Sequence, residues 1–181
     1  MKQNKGVLTV EAALMVPLFI FAILFMTQFM KVVYVYDTVQ TNIYNTAKFA
    51  NAYSSLNGKI ESVAYNKIRE IQEIFTSVTG DVIGEDGSNE VSEFIGEVLS
   101  NGFEAAGNAV GGKMCLAVLK SEFNGKEKWL GMSDFDTKGT IFKEKEIKLV
   151  VNYKVRVQAP FINIDKQIPL TNQVVIKNLG S

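Results

Sequence analysis

The chain has no histidine and a single cysteine among its 181 residues. Because histidine is the commonest general base and metal ligand, its absence excludes His-based catalytic triads and His-ligated zinc or haem. The lone Cys115 cannot form an internal disulfide, and its apolar neighbours predict a small core residue rather than a reactive thiol. We therefore predict no catalytic residue, no metal site, no cofactor and no enzymatic activity.

Net charge is also lacking, since 19 basic residues balance 19 acidic ones. Nothing in that balance draws the protein toward nucleic acid, so no nucleic-acid partner is predicted. A chain of this length can bury one modest core, and one domain plus an anchor is the expected organisation.

What the chain does have is a long uncharged run, the nineteen residues from Ala12 to Met30. As a helix this run would measure about 29 Å, which matches the hydrocarbon core of a bilayer. It is too long for the apolar region of a cleaved secretory signal, and no A-x-A-like cleavage site follows it. The run predicts a single transmembrane helix and a lipid bilayer as partner.

Charges beside the run leave two questions open. Lys2 and Lys5 precede it but Lys31 and Lys48 follow it, so the positive-inside rule favours a cytoplasmic N-terminus only weakly. Glu11 lies at the edge of the apolar stretch, where burial in lipid is costly without a partner. It is either an ordinary carboxylate at headgroup depth, favoured by the helix dipole, or a functional residue.

The segment Lys5–Glu11, followed by the uncharged span, resembles the signal of type IV prepilins: a short basic leader ends in Gly, and Glu is the fifth residue after it. The fuller string Gly-x-x-Thr-Val-Glu-Ala-Ala-Leu-x-x-Pro is similar to TadE-like minor pseudopilins of tight-adherence (Flp-type) pilus systems. Val7 stands where many prepilins carry Phe, and Ala12 replaces the Tyr of major Flp pilins, which favours a minor subunit. The matching residues are Gly6, Thr9, Val10, Glu11, Ala12, Ala13, Leu14 and Pro17.

This resemblance implies a leader at 1–6, cleavage between Gly6 and Val7 by a membrane aspartic peptidase, a transmembrane helix at 7–30 and an extracytoplasmic pilin-like domain at 31–181. Cleavage would create an ammonium on Val7 one turn from Glu11, where opposite charges can meet. The family uses this carboxylate for assembly. The implied partners are a prepilin peptidase, other pilin subunits, an assembly platform and a cytoplasmic assembly ATPase, and the implied location is the cell membrane or a surface pilus.

Beyond the span, an apolar stripe with a spacing of three to four residues predicts that one helix of about 50 residues continues to a stop at Asn57-Gly58. The stripe consists of Val32, Tyr36, Val39, Ile43, Ala47, Ala50 and Tyr53. Pro17 lacks an N–H and should kink this helix. A second helix is predicted over Ile60–Val78 and a third over Val91–Leu99. Residues 81–88 have loop composition, and the glycine-rich stretch 101–112 is predicted to be a flexible connection.

The pattern of the C-terminal third predicts a small antiparallel sheet at about 139–178. With helices at about 31–123, the expected fold is α+β. Apolar residues alternate from Ile147 to Val157, Ile168–Ile176 supplies a partner strand, and Thr140–Phe142 is a candidate third strand. This layout also resembles the TadE-like group. Asp134–Gly139 is predicted to be a solvated acidic turn, and Trp129 a core residue.

Two other kinds of protein remain as alternatives. One is a permanently anchored extracytoplasmic binding or sensory module, which would keep Met1 and tolerate Glu11→Ala. The other is a secreted enzyme on a membrane tether, which the lack of histidine and of a paired nucleophile and base disfavours.

Overall fold

The computed structural model describes residues 5–54, 85–101, 103–143, 145–159 and 164–177. The fold is α+β, as predicted: a long N-terminal helix, further helices and a small antiparallel sheet. The predicted helix over Ile60–Val78 and the stop at Asn57-Gly58 lie outside the described residues. The helices are α1 (Lys5–Ser54), α2 (Glu85–Asn101), α3 (Phe103–Ala106), α4 (Gly112–Glu122) and α5 (Glu127–Leu130), with a π-helical turn at Gly107–Gly111 between α3 and α4; the strands are β1 (Met132–Asp136), β2 (Ile141–Lys143), β3 (Glu146–Ala159) and β4 (Ile164–Lys177).

Helix α1 contains 50 residues, which corresponds to a length of about 75 Å. Its C-terminal half packs on the domain through one apolar stripe with a spacing of three to four residues. The predicted stripe included Tyr36, but that side chain is exposed and Val35 is buried in its place. The buried face of α1 is therefore rotated by one residue near the start of the packed half. The fully buried residues are Val35, Val39, Ile43, Ala47 and Ala50.

Strand β3 is the centre of the sheet within the described residues. Strand β4 pairs with it antiparallel along its whole length, from Glu146↔Lys177 to Ala159↔Ile164. The predicted alternation is confirmed, because the odd-numbered residues from Ile147 to Val155 are buried and most even-numbered ones are not. The buried face contacts α1, and the other face meets solvent.

The opposite edge of β3 is shared by two short strands. Strand β2 was predicted, but β1 was not, because its residues overlap the segment expected to be a solvated turn. Asp134 has a φ of 57°, and the β1 register shifts between Ser133 and Asp136, so the strand is irregular. Its anchor is Phe135, whose ring stacks on Tyr153 with centroids 6.1 Å apart.

Thr140 bridges the gap between β1 and β2. Its hydroxyl accepts a hydrogen bond from the Val150 amide (3.1 Å) and donates to the Val150 carbonyl (3.2 Å). The backbone groups of β3 that neither short strand reaches are thereby satisfied, as buried polar groups require.

Residues 101–112 are not the flexible connection that their glycine content predicted. Those that the structure describes, 101 and 103–112, form the end of α2, helix α3, the π-helical turn and the first residue of α4. Gly107 and Gly111 are buried against the ring of Phe142. Asn108 holds the edge of β2, since its side-chain amide accepts from the Phe142 N–H (3.0 Å) and donates to the Phe142 carbonyl (3.2 Å). Glycine is needed here because the Phe142 ring lies close to the helix backbone, and not because the segment is mobile.

The prediction of a loop at 81–88 is wrong for residues 85–88, because α2 begins at Glu85. Residues 81–84 lie outside the described residues. Phe94 of this helix lies between Phe49 of α1 and Phe142 of β2, at centroid distances of 6.4 and 6.3 Å. Cys115 is buried in the same core, as predicted, and burial raises the pKa of its thiol to about 12.

A buried polar chain fixes α1 against the sheet. The Tyr153 hydroxyl donates to Asn172 Oδ1 (2.8 Å), and Asn172 Nδ2 donates to Gln40 Oε1 (2.8 Å). Both Tyr153 and Asn172 are almost fully buried, and burial raises the pKa of Tyr153 above its ordinary value. These hydrogen bonds therefore link β3, β4 and α1 and fix the position of the helix on the sheet.

Replacing Asn172 by leucine is expected to lower the free energy of unfolding by roughly 2–3 kcal/mol, because the Tyr153 hydroxyl and the Gln40 amide lose their buried partner. Urea unfolding of the full chain in detergent measures this. The matched control is Asn152→Leu, since Asn152 accepts from Thr171 (2.8 Å) on the exposed face and should lose only a few tenths of a kcal/mol. Equal losses of unfolding free energy in both variants would contradict the role of the buried hydrogen bonds of Asn172.

Candidate membrane and assembly helix

The N-terminal half of α1 packs against nothing that could bury it: none of residues 13–30 is buried. Leu14 is 73% exposed, Phe19 67% and Met30 65%, so apolar side chains project on all sides of the helix. A helix that is apolar all round belongs in an apolar medium. It is the one helix among the described residues that is long and apolar enough to cross a membrane, which fits a single span.

The change from exposed to packed runs along one face of α1, where Phe21, Leu24 and Gln28 are already half-buried. The last residue of the uncharged run is Met30, the next is Lys31, and the first fully buried side chain is Val35. One continuous helix therefore combines a lipid-compatible half with a half that belongs to the core of the domain.

The residues of the signal motif lie at the start of this helix. Gly6 and Val7 are in its first turn, and Glu11 follows with an exposed side chain. Four residues of helix separate Val7 from Glu11 by about 6 Å along the axis, which is the spacing at which side chains on one face meet. Cleavage after Gly6 and an assembly role for Glu11 stay predictions.

Pro17 lies inside α1, and the helix continues on both sides of it. Proline cannot donate a hydrogen bond to the carbonyl four residues earlier, at Ala13. The kink expected there stays a prediction.

The C-terminal end of the span is tied to the sheet. Lys31 Nζ donates to the carbonyl of Arg156 (2.7 Å), and the Arg156 N–H donates to the carbonyl of Gly131 (2.8 Å). Arg156 also pairs with Asp165 across β3 and β4, and that hydrogen bond lowers the pKa of the Asp165 carboxyl. These polar contacts lie just beyond Met30, the last residue of the uncharged run.

Trp129 was predicted to be a core residue, and that prediction is wrong: its side chain is 74% exposed. The neighbouring Leu130 takes the core position instead, with no exposed surface. A local signal in the sequence pointed to exposure, because Trp129 directly follows the charged residues Lys126, Glu127 and Lys128 at the start of a four-residue helix.

The glycine spacing of the run Gly107–Lys113 is like that of a phosphate-binding loop, but this run has a structural explanation. It is helical, and its glycines Gly107 and Gly111 are buried against Phe142 rather than open to a ligand. In the part of the chain that the structure describes, no group of three or more Cys, Asp or Glu side chains could hold a metal ion.

Comparison with known protein families, with curated proteins and with solved structures finds no match to this chain.

Proposed function

We propose that this chain is a minor pseudopilin of the TadE-like type, inserted with its N-terminus in the cytoplasm, cleaved after Gly6 and incorporated into a tight-adherence pilus. The observation that carries the proposal is the division of α1 into an exposed apolar half and a packed half, with the prepilin-like motif at the exposed end. A subunit of this shape presents an apolar helix that lipid surrounds before assembly and neighbouring helices surround afterwards.

Glu11 is the residue on which assembly depends in this proposal. Its side chain is exposed at the N-terminal edge of the span, so a neighbouring subunit can reach it. In this proposal that edge is the cytoplasmic one. In a bundle of apolar helices an unpartnered carboxylate is penalised, and the Val7 ammonium of another subunit supplies the opposite charge. Pairing would therefore align an incoming helix with those already in place.

The mature N-terminus tests the proposal. Mass spectrometry of the full chain, co-expressed with and without a prepilin peptidase, should show a peptidase-dependent start at Val7. Gly6→Leu should abolish processing, whereas Asn4→Ala, inside the leader but outside the motif, should leave it intact. Met1 retained with and without the peptidase would support the permanently anchored module instead.

Incorporation is a separate readout. Glu11→Ala should be cleaved normally but should be missing from the sheared surface fraction of cells that carry the pilus machinery, and Glu11→Asp should retain part of the signal. Normal incorporation of Glu11→Ala would contradict the proposed role of the carboxylate. A hydrolytic activity that survives deletion of residues 1–30 would favour the tethered enzyme.

A further inference from the structure

Trp129 is turned outward by the residue that follows it. In helix α5, Leu130 is fully buried, whereas Trp129 is 74% exposed. Successive helical positions point about 100° apart, so burying Leu130 directs Trp129 away from the core. Among the described aromatic side chains beyond Met30, Trp129 is the most exposed, and the next are Tyr34 and Tyr36 at 47%.

The position of Trp129 along α1 is set by two hydrogen bonds, one between backbone groups and one from the side chain of Lys31. Gly131, directly after α5, accepts from the Arg156 N–H, and the Arg156 carbonyl accepts from Lys31 Nζ. Gly131 has a φ of 66°, and a Cβ there would lie 2.9 Å from Cβ of Arg156, so glycine is required at this junction. Helix α5 is therefore held beside Lys31, the first charged residue after the span.

Trp129 lines a groove of about 380 Å³ with α1 and the end of β3; the other lining residues are Thr27, Gln28, Met30, Lys31, Tyr34 and Gln158. Thr27 and Met30 also line a second groove, of about 490 Å³, which runs along the apolar half of α1 past Phe19, Ala22, Ile23 and Met26. The surface around Trp129 is thus continuous with the surface that faces lipid.

We propose that α5 is a membrane-surface anchor: Trp129 inserts into the interfacial region of the bilayer and seats the domain on the lipid surface. Tryptophan and tyrosine favour this depth, where an apolar ring and a polar N–H or hydroxyl are both satisfied, and Tyr34 lies in the same groove. Lys126 and Lys128 are exposed on either side of the half-buried Glu127, so lipid phosphates have cationic partners beside the indole. The proposal rests on the membrane span and not on pilus assembly.

A phospholipid interface is the occupant that the geometry favours over a second protein chain. The groove straddles the point where the uncharged run ends, since Thr27, Gln28 and Met30 lie within the run and Lys31 is the first charged residue after it. The adjoining groove is lined by apolar side chains from Phe19 to Met26. Polarity therefore rises along α1 toward Lys31, as it does across a bilayer interface.

The single tryptophan of the chain allows a direct test. The full-length protein is reconstituted in nanodiscs of phosphatidylcholine and phosphatidylglycerol, with bromine at shallow or deep positions of the acyl chains. Shallow bromine should quench Trp129 emission more than deep bromine, and quenching of this tryptophan by aqueous iodide should be at least about twofold weaker than at a position in water.

The matched control is Trp129→Phe combined with Tyr44→Trp. Tyr44 is also exposed, but it lies fourteen residues beyond Met30, about 21 Å farther along α1. The emission of the tryptophan at position 44 should not be quenched by bromine at either depth and should be quenched by aqueous iodide.

Two results would overturn the proposal. If iodide quenched tryptophan equally at residues 129 and 44, and bromine quenched neither, Trp129 would lie in water. Protection from iodide without bromine quenching, increasing with the number of protein molecules per nanodisc, would mean that a second copy covers the groove. Neither result would bear on cleavage after Gly6, which the mature N-terminus decides.

Discussion

Alanine at Gly107 is expected to lower the free energy of unfolding by roughly 3 kcal/mol or more, because the added methyl has no room. A Cβ on Gly107 would lie 2.5 Å from Cβ of Phe142, an atom fixed close to the β2 backbone. The ring cannot rotate away from that contact, so β2 or the π-helical turn must shift. Denaturant unfolding of the full chain in detergent, monitored by circular dichroism, measures the loss.

Gly111→Ala should be less damaging than Gly107→Ala. Its Cβ would approach Cε2 and Cζ of Phe142, both at 2.5 Å, and these atoms are at the far end of the ring, which can tilt. The matched control is Gly96→Ala in α2, where nothing lies within 4 Å of the added methyl. That variant should be neutral or more stable by up to about 1 kcal/mol, because alanine is the better helix former.

A double-mutant cycle separates the clash from other effects of alanine. Phe142→Ala alone should cost roughly 3–5 kcal/mol, since it empties the centre of the core. In the combined Gly107→Ala and Phe142→Ala variant the methyl finds space, so the joint loss should fall short of the sum by about 1–3 kcal/mol. Additive losses would contradict the proposed contact between the turn and the ring.

Periodicity predicted the elements that bury one face against a single partner. Strand β3 alternates because its odd positions enter the core and its even positions mostly do not. The second half of α1 repeats every three to four residues because one stripe meets the sheet, and the sequence missed only its rotation, Val35 for Tyr36. In such elements the sequence pattern and the packing have the same cause.

Features that depend on distant partners were not predictable in this way. Gly107 and Gly111 are indistinguishable from loop glycines until Phe142, which lies more than thirty positions away in the chain, is placed on them. Strand β1 is short and acidic, and only its pairing with β3 and the Phe135 contact define it. Trp129 looks like a core residue by type, but Leu130 takes the buried position of that turn.

For the candidate site, sequence and structure contribute different parts. The uncharged run from Ala12 to Met30 predicted the span, and the motif around Glu11 predicted the assembly role. The structure adds that none of residues 13–30 is buried and that Lys31 ties the end of this half of α1 to Arg156. No periodicity could supply that tie, because its acceptor is a backbone carbonyl 125 positions away.

Two aspartates in the exposed half of α1, in an Ile20→Asp and Ile23→Asp double variant, are expected to abolish stable membrane integration. Both side chains are exposed near the middle of the span. An ionised aspartate at the centre of a bilayer costs roughly 2.5–3.5 kcal/mol, so the pair lowers the integrated fraction by a factor on the order of 10³ or more. Extraction of membranes with alkaline carbonate measures that fraction.

The same charge elsewhere on α1 should act differently, because the two halves of the helix face different surroundings. Tyr44→Asp, beyond the span and exposed, should stay in the membrane with a folded domain. Ala47→Asp should also stay in the membrane but unfold the domain, since Ala47 is fully buried and the carboxylate would have no water.

Thermal unfolding in detergent completes the comparison. The Ile20 and Ile23 double variant should melt like the wild type, because neither residue packs on the domain, and Ala47→Asp should lose its cooperative transition. If the double variant resisted carbonate extraction, the uncharged run would not be the anchor. If it melted early, the N-terminal half of α1 would belong to the domain core, and both the span and the surface anchor at Trp129 would have to be abandoned.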